Sequence, residues 1–168
     1  MSTPPDPTTA AQPTALASPE AALVALGLTL PAPAAPVAAY IPTRRSGNLL
    51  YVSGQIPIRD GVLLATGTVP SQVDLQSARL CALQCTLNAL AAARAALGSL
   101  DRIRQVVRIG CFVASDPGFG DQHKVANAAS ELLQQVFGEA GRHARASVGS
   151  SALPLNVPVE IEFLFEVE

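Results

Sequence analysis

The chain has 168 residues, of which 49% are hydrophobic, 14% charged and 4% aromatic. That length suits one domain with a sizeable core, and the composition excludes a disordered chain. With 11 Lys+Arg against 13 Asp+Glu, a net charge of −2 and no basic run longer than Arg44-Arg45, the footprint of a nucleic-acid binder is missing. The apolar stretches are interrupted by Arg, Gln, Asn, Gly or Pro short of the roughly 20 residues that cross a bilayer, so no transmembrane helix and no membrane partner is predicted. The opening residues, Met-Ser-Thr-Pro-Pro-Asp-Pro, lack the basic patch and apolar core of a secretory signal, and the chain is read as cytoplasmic.

Nine of the 14 prolines lie in the first 42 residues, where the charged side chains are Asp6 and Glu20. Residues 1–17 bury too little surface to offset their chain entropy and are predicted to be a disordered arm; residues 18–168 form the domain. Ser18-Pro19-Glu20 reads as a helix start and Gly27 as its stop, with Leu28 to Pro42 extended and punctuated by proline. Asn48–Ser53 suits a strand broken by Gly54, and Arg59-Asp60-Gly61 is a turn before a short strand at Val62–Leu64, giving a hairpin. Between Pro70 and Gly98, apolar residues from Val73 to Leu97 recur at three, four and seven among alanines, the pattern of a long helix.

Ile103–Val113 is β-rich and ends in the turn cluster Ser115-Asp116-Pro117-Gly118. Val125, Ala129, Leu132 and Val136 then trace one face of a second helix stopped by Gly138. After a short run at Ala144–Val148, the last strand alternates Val159, Ile161, Phe163, Phe165 and Val167 with Glu160, Glu162, Leu164, Glu166 and Glu168. The predicted class is α+β: one mixed sheet with both long helices on one face, leaving an opposite face that needs cover, which a partner subunit supplies.

Cys81, Cys85 and Cys111 have no CxxC or Cys/His spacing, and with His123 and His143 the only histidines, no metal site is expected; the thiols read as buried packing residues. Neither histidine sits near a nucleophile elbow, and His143, between Arg142 and Arg145, reads as a surface or interface residue. Gly118-Phe119-Gly120 lacks the rest of a phosphate-binding loop. Two charges stand where buried strands are expected, Arg145 in His-Ala-Arg-Ala-Ser-Val and Glu160 at the start of the last strand. If the last two strands pair, these residues share a site: a guanidinium fork suits a carboxylate, and a carboxylate polarises water. On spacing alone, a structural ion pair between Arg145 and Glu160, or an ordinary solvated position for Glu160, is the favoured reading.

Three stretches resemble one family. Tyr40-Ile-Pro-Thr-Arg-Arg-Ser-Gly-Asn-Leu-Leu-Tyr-Val-Ser-Gly-Gln-Ile-Pro57 is similar to that family's tyrosine, Gly-Asn, strand and Ser-Gly-Gln motif. Asp101–Val113, followed by Val125-Ala-Asn127, is similar to its central strand and helix, and Ala144-Arg145-Ala-Ser147-Val148 through Val159-Glu160-Ile161-Glu162 to its ending. The chain thus resembles, over residues 36–168, the reactive intermediate deaminase superfamily of YjgF or UK114 type, which also carries L-PSP endoribonuclease names.

The resemblance implies a chorismate-mutase-like fold, a homotrimer with clefts between subunits, and hydrolysis of 2-imino acids to 2-keto acids and ammonia without cofactor or metal. It places Arg145 as the clamp on the substrate carboxylate, Glu160 as the group positioning water, and Tyr40, Ser53, Asn127 and Ser147 in the pocket lining. The chain departs from the pattern in having Ser147 and Gly149 where a cysteine and a glutamate are usual, and in its longer N-terminus, so it resembles a divergent, longer bacterial subgroup. The alternative is a trimer that binds a small carboxylate without turnover, in a regulatory role. A ribonuclease is a third reading, disfavoured by the acidic balance and the single lysine, Lys124.

Overall fold

The computed structural model of the chain describes residues 18–33 and 39–168. The arm expected over residues 1–17 lies outside these, as does part of the extended segment before Pro42. Ser18 caps helix α1 (Pro19–Ala25) by accepting the Ala21 N–H at 3.2 Å, and Pro19 stands in the first turn, where no intrahelical N–H is needed. Gly27, at φ +70°, takes the left-handed conformation that ends this helix.

The remaining elements in chain order are β1 (Thr43–Ser46), β2 (Leu49–Gln55), β3 (Ile58–Arg59), β4 (Val62–Leu63), α2 (Leu75–Leu97), β5 (Ile103–Ala114), α3 (Gln122–Phe137), β6 (Ala144–Ser150) and β7 (Val159–Val167). The main sheet runs β1-β2-β7-β5-β6, and β3 with β4 forms a separate ribbon. The hairpin partner of β2 is therefore β1, reached through Gly47-Asn48 with Ser46 opposite Leu49, and not the segment at 62–64. β1 has no apolar alternation to betray it, because Arg44, Arg45 and Ser46 are exposed on a sheet edge, where charge discourages further pairing.

The last two strands do not pair. β5 lies between them, parallel to β6 and antiparallel to β7. A parallel pair needs a crossover, and α3 supplies it. Both long helices cover the same face: α2 packs on β2 and β7, and α3 on α2, β5 and β6. Beneath them lie Val159, Ile161, Phe163, Phe165 and Val167, while Glu160, Glu162, Leu164 and Glu166 occupy the other face, half-buried. The expected mixed sheet with its helices on one side is present.

α2 begins at Leu75 rather than Pro70, because Asp74 caps it by accepting the Ser77 N–H at 2.9 Å. Its 23 residues meet the length and hydropathy of a membrane span, against the expectation from interrupted apolar stretches, but 72% of that window is buried inside the domain. It is the core helix. The polar residues that interrupt it are satisfied internally: Gln84 Nε2 donates to Asn88 Oδ1 at 2.9 Å, and Asn88 Nδ2 donates to the Ile56 and Ile58 carbonyls at 3.0 Å each. Asn88 thereby ties the segment after β2 to the helix.

Past α3, a 3-10 turn (Gly138–Gly141) brings the chain back to β6. A Cβ on Gly141 would stand 2.2 Å from the Leu133 carbonyl oxygen, a backbone atom that cannot swing away. Gly141→Ala is expected to cost about 1–3 kcal/mol by overpacking, read as a lower urea midpoint with an unchanged slope.

Candidate functional site

Arg145 stands beside Ile109 of β5, whose other neighbour is Phe163, so its row belongs to the helix-covered face. At the sheet edge it reaches α3: Nη1 donates to Asn127 Oδ1 and to Ser130 Oγ, both at 3.0 Å. Among the described residues Arg145 takes part in no ion pair, which overturns the expected pairing with Glu160. Its Nη1 hydrogens are both committed to neutral oxygens, and the Nη2–Nε edge, on an exposed side chain, is left for an anion. Ser147, two residues along the same face, donates its hydroxyl to the Gln122 carbonyl at 3.0 Å.

Position 149, the other departure from the family pattern, is not empty space. A Cβ there would meet Gln122 Nε2 at 2.9 Å and Ser115 Oγ at 3.2 Å. Gln122 is itself held, its Nε2 donating to the Phe119 carbonyl at 2.6 Å. β6 is also an edge strand, and its outward backbone groups have no strand partner among the described residues.

Glu160 stands beside Phe112 on the opposite face. Its carboxylate fills a niche above Gly54: a Cβ on that glycine would fall 2.0 Å from Glu160 Oε1. The register slips between Val52 and Gln55 where β2 passes this niche. Burial raises the Glu160 pKa above the ordinary carboxylate value, and the nearby Glu162 charge pushes the same way. The local cation is spent on the neighbour, since Arg108 Nη1 donates to Glu162 Oε1 at 2.9 Å. Ser53, next to Gly54, donates its hydroxyl to the Ile41 carbonyl at 2.8 Å, and its N–H to the Pro42 carbonyl at 2.9 Å. These bonds hold the segment that carries the exposed Tyr40.

The six residues singled out from the sequence thus fall into two groups. Arg145, Asn127 and Ser147 cluster where β6 meets α3, and Glu160, Ser53 and Tyr40 belong to the β2–β7 side; Arg145 and Glu160 lie on opposite faces of one chain's sheet. Ser130 is not among them, and from the sequence His143 reads as a surface or interface residue and Gly54 as a strand break; His143 is in fact half-buried against Ser130, and Gly54 seats the Glu160 carboxylate. Ser130 lies three residues after Asn127 and so shares its helix face, which is the signal available for it.

Cys81, Cys85 and Cys111 are buried and free. Burial pushes the Cys81 thiol up to about 11 and the Cys111 thiol up to about 12, so neither supplies a thiolate at neutral pH. Among the described residues no group of three His, Cys, Asp or Glu side chains is placed to hold a metal.

A family model described as "YjgF/chorismate mutase-like, putative endoribonuclease" matches residues 20–167. The chain belongs to the YjgF family. Protein TCP17 of Trypanosoma cruzi is 43% identical over 143 residues, covering 84% of this chain and 89% of that protein. Among solved structures, Atu1372 of Agrobacterium tumefaciens, a protein of unknown function, is 48% identical with a TM-score of 0.84, over 89% of this chain and 92% of that one. The YjgF gene product of E. coli is 28% identical with a TM-score of 0.57, over 82% and 94%.

Within this YjgF fold the Gly54 niche is open to test. Gly54→Ala must displace the end of a flexible side chain and not backbone, so folding is expected to be little changed while the Glu160 carboxylate moves. An unfolding free energy from urea titration within about 0.5 kcal/mol of the parent, with any Glu160-dependent activity lost to the degree seen in Glu160→Gln, is the expected pair of results.

Proposed function

We propose that this protein hydrolyses 2-imino acids to 2-keto acids and ammonia, in a cleft completed by another copy of the chain in a homotrimer. The observation that carries the reading is the Arg145 guanidinium. It is oriented by Asn127 and Ser130 through one nitrogen, it has no carboxylate partner among the described residues, and it keeps a two-point edge for a ligand carboxylate.

Glu160 supports the second half of the reaction. A half-buried carboxylate with a raised pKa is a suitable base for water. Water oxygen bonds to the imine carbon as Glu160 accepts a proton. Starting from the protonated imine, the C=N π pair moves to nitrogen on attack; the resulting neutral carbinolamine takes the proton from Glu160 on nitrogen, the C–N bond breaks, ammonia leaves, and the hydroxyl becomes the keto oxygen as its proton returns to Glu160. Imines already hydrolyse in water, so orientation supplies most of the required acceleration. Tyr40 and Ser53 line the Glu160 side in this proposal, and Asn127 and Ser147 the Arg145 side. The reaction requires no cofactor or metal.

Because Arg145 and Glu160 lie on opposite faces of one chain, a specific observation also favours a second reading: an assembly that does not bring them together would bind small carboxylates without turnover. Saturable binding of 2-oxobutanoate that depends on Arg145, with no ammonia release from any imino acid, selects that reading. RNA cleavage by purified protein, surviving Arg145→Ala, would favour the endoribonuclease name.

Iminopropanoate and iminobutanoate, generated in situ by an amino-acid oxidase, test the proposal through ammonia release. Arg145→Ala is expected to lower kcat/KM by about 10²–10³, the equivalent of two charge-assisted hydrogen bonds, while the assembly state by light scattering stays unchanged. Equal rates for parent and variant would remove the clamp.

A pH profile tests the base. Activity should fall as pH drops through the raised Glu160 pKa, because the protonated acid cannot take a proton from water. Glu162→Gln removes a repelling charge and frees Arg108, so the acid limb should move to lower pH. A limb that stays in place would exclude Glu160 as the titrating group.

A further inference from the structure

His143 extends, through Ser130, the hydrogen-bond chain that ends on Arg145. His143 Nδ1 lies 2.6 Å from the Gly141 carbonyl oxygen and Nε2 lies 3.0 Å from Ser130 Oγ, which in turn accepts from Arg145 Nη1 at 3.0 Å. A carbonyl accepts but does not donate, so Nδ1 must carry the proton. In the neutral ring Nε2 is then an acceptor, and the Ser130 hydroxyl donates to it. That fixes the rotor of Ser130 and turns its lone pairs towards the arginine. Each donor in the chain has one acceptor, and Arg145 is left with its outer edge unspent.

We infer that His143, acting through Ser130, is a positioning residue that locks the Arg145 guanidinium in its anion-binding orientation, and that this lock opens when the imidazole is protonated. The inference rests on the reading of Arg145 as a carboxylate clamp. An imidazolium donates from both nitrogens, so Ser130 would face donors on both sides and its own hydrogen would lose its acceptor. A second positive charge would also stand beside the arginine.

Other charged groups near the ring are already engaged. In the preceding turn Arg142 pairs with Glu139 at 3.3 Å and on α3 Glu131 pairs with Arg79 at 2.8 Å, while Arg108 of β5 lies on the open face of the sheet, paired with Glu162 at 2.9 Å. Burial lowers the His143 pKa from its ordinary value, the Gly141 hydrogen bond opposes this and the Arg145 charge adds to it; the net direction is down, so the lock is closed at neutral pH.

Two measurements on the full chain test this. Long-range 1H–15N correlation spectra are expected to show His143 with Nδ1 protonated and Nε2 bare at pH 7.5, and Ser130→Ala to broaden the Arg145 Nε–H resonance. Steady-state rates on iminopropanoate are expected to show KM raised about three- to tenfold by Ser130→Ala or His143→Ala, the size of one ordinary hydrogen bond felt through the arginine, with a smaller effect on kcat. The double variant should be no worse than either single one. His143→Gln, whose Oε1 can accept the Ser130 hydroxyl, should recover most of the loss.

In the parent KM should rise as pH falls through the His143 pKa, and this limb should vanish in Ser130→Ala. An Nε2-protonated ring, additive costs, or a KM that falls in acid would overturn the inference. If the parent does not turn over iminopropanoate at all, the deaminase reading fails while the tautomer and the Arg145 resonance still decide the lock.

Discussion

Strand β5 is hydrogen-bonded along both edges, to β6 in parallel and to β7 in antiparallel register, and the geometry of the candidate site follows from that. Side chains alternate between faces along a strand, and a register row shares one face across the sheet. Ile109 stands between Arg145 and Phe163, and Phe112 between Val148 and Glu160. The first row lies under the helices and the second on the open face. No rotamer change carries a side chain through a sheet, so the arginine and the glutamate serve one substrate only if the β6 edge of one chain meets the open face of another.

How the charges are distributed separates binding from mere stability. Exposed ion pairs contribute little, and a fold needing only stability would be indifferent to where they fall. Here Arg79, Arg94, Arg108, Lys124 and Arg142 are each matched with a carboxylate side chain and, among the described residues, Arg44, Arg45, Arg59, Arg102, Arg104 and Arg145 are not; Arg145 differs from the rest of that second group in being held by two neutral side-chain oxygens of one helix. Arg108 engages Glu162 and thereby leaves Glu160, two residues earlier on the same face, to burial and repulsion. A cation held open for an anion and a carboxylate held at raised basicity are complementary states, and both are set by which neighbour takes the available partner.

The elements defined by periodicity were legible from the sequence: α2, α3 and β7 carry helical or alternating apolar patterns over many residues, and Gly98 and Gly138 stop the helices where expected. Strand pairing was not legible, because β6 is short, mostly exposed and carries no apolar alternation to say which edge it joins. Edge strand β1 was hidden for the same reason. In the candidate site, Arg145 and Glu160 stood out as charges in strands, but their separation onto two faces depends on a pairing that no local pattern encodes. Ser130 carried no signal of its own and His143 read as a surface or interface residue, because a serine on a helix and a histidine in a turn acquire meaning only when α3 and β6 are brought side by side.

Two glycines near the site show how a missing side chain is used. At Gly54 the vacated space is filled by the Glu160 carboxylate itself, so the glycine is part of how that group is seated. At Gly149 the space is bordered by the Gln122 amide, anchored through Phe119, and by the Ser115 hydroxyl. A carboxylate at 149 would place a negative charge along the strand from Arg145 and oppose an anionic ligand there, whereas an amide and a hydroxyl do not. With neutral groups at this place the positive field of Arg145 is uncompensated along its strand, the condition that the proposed carboxylate clamp requires.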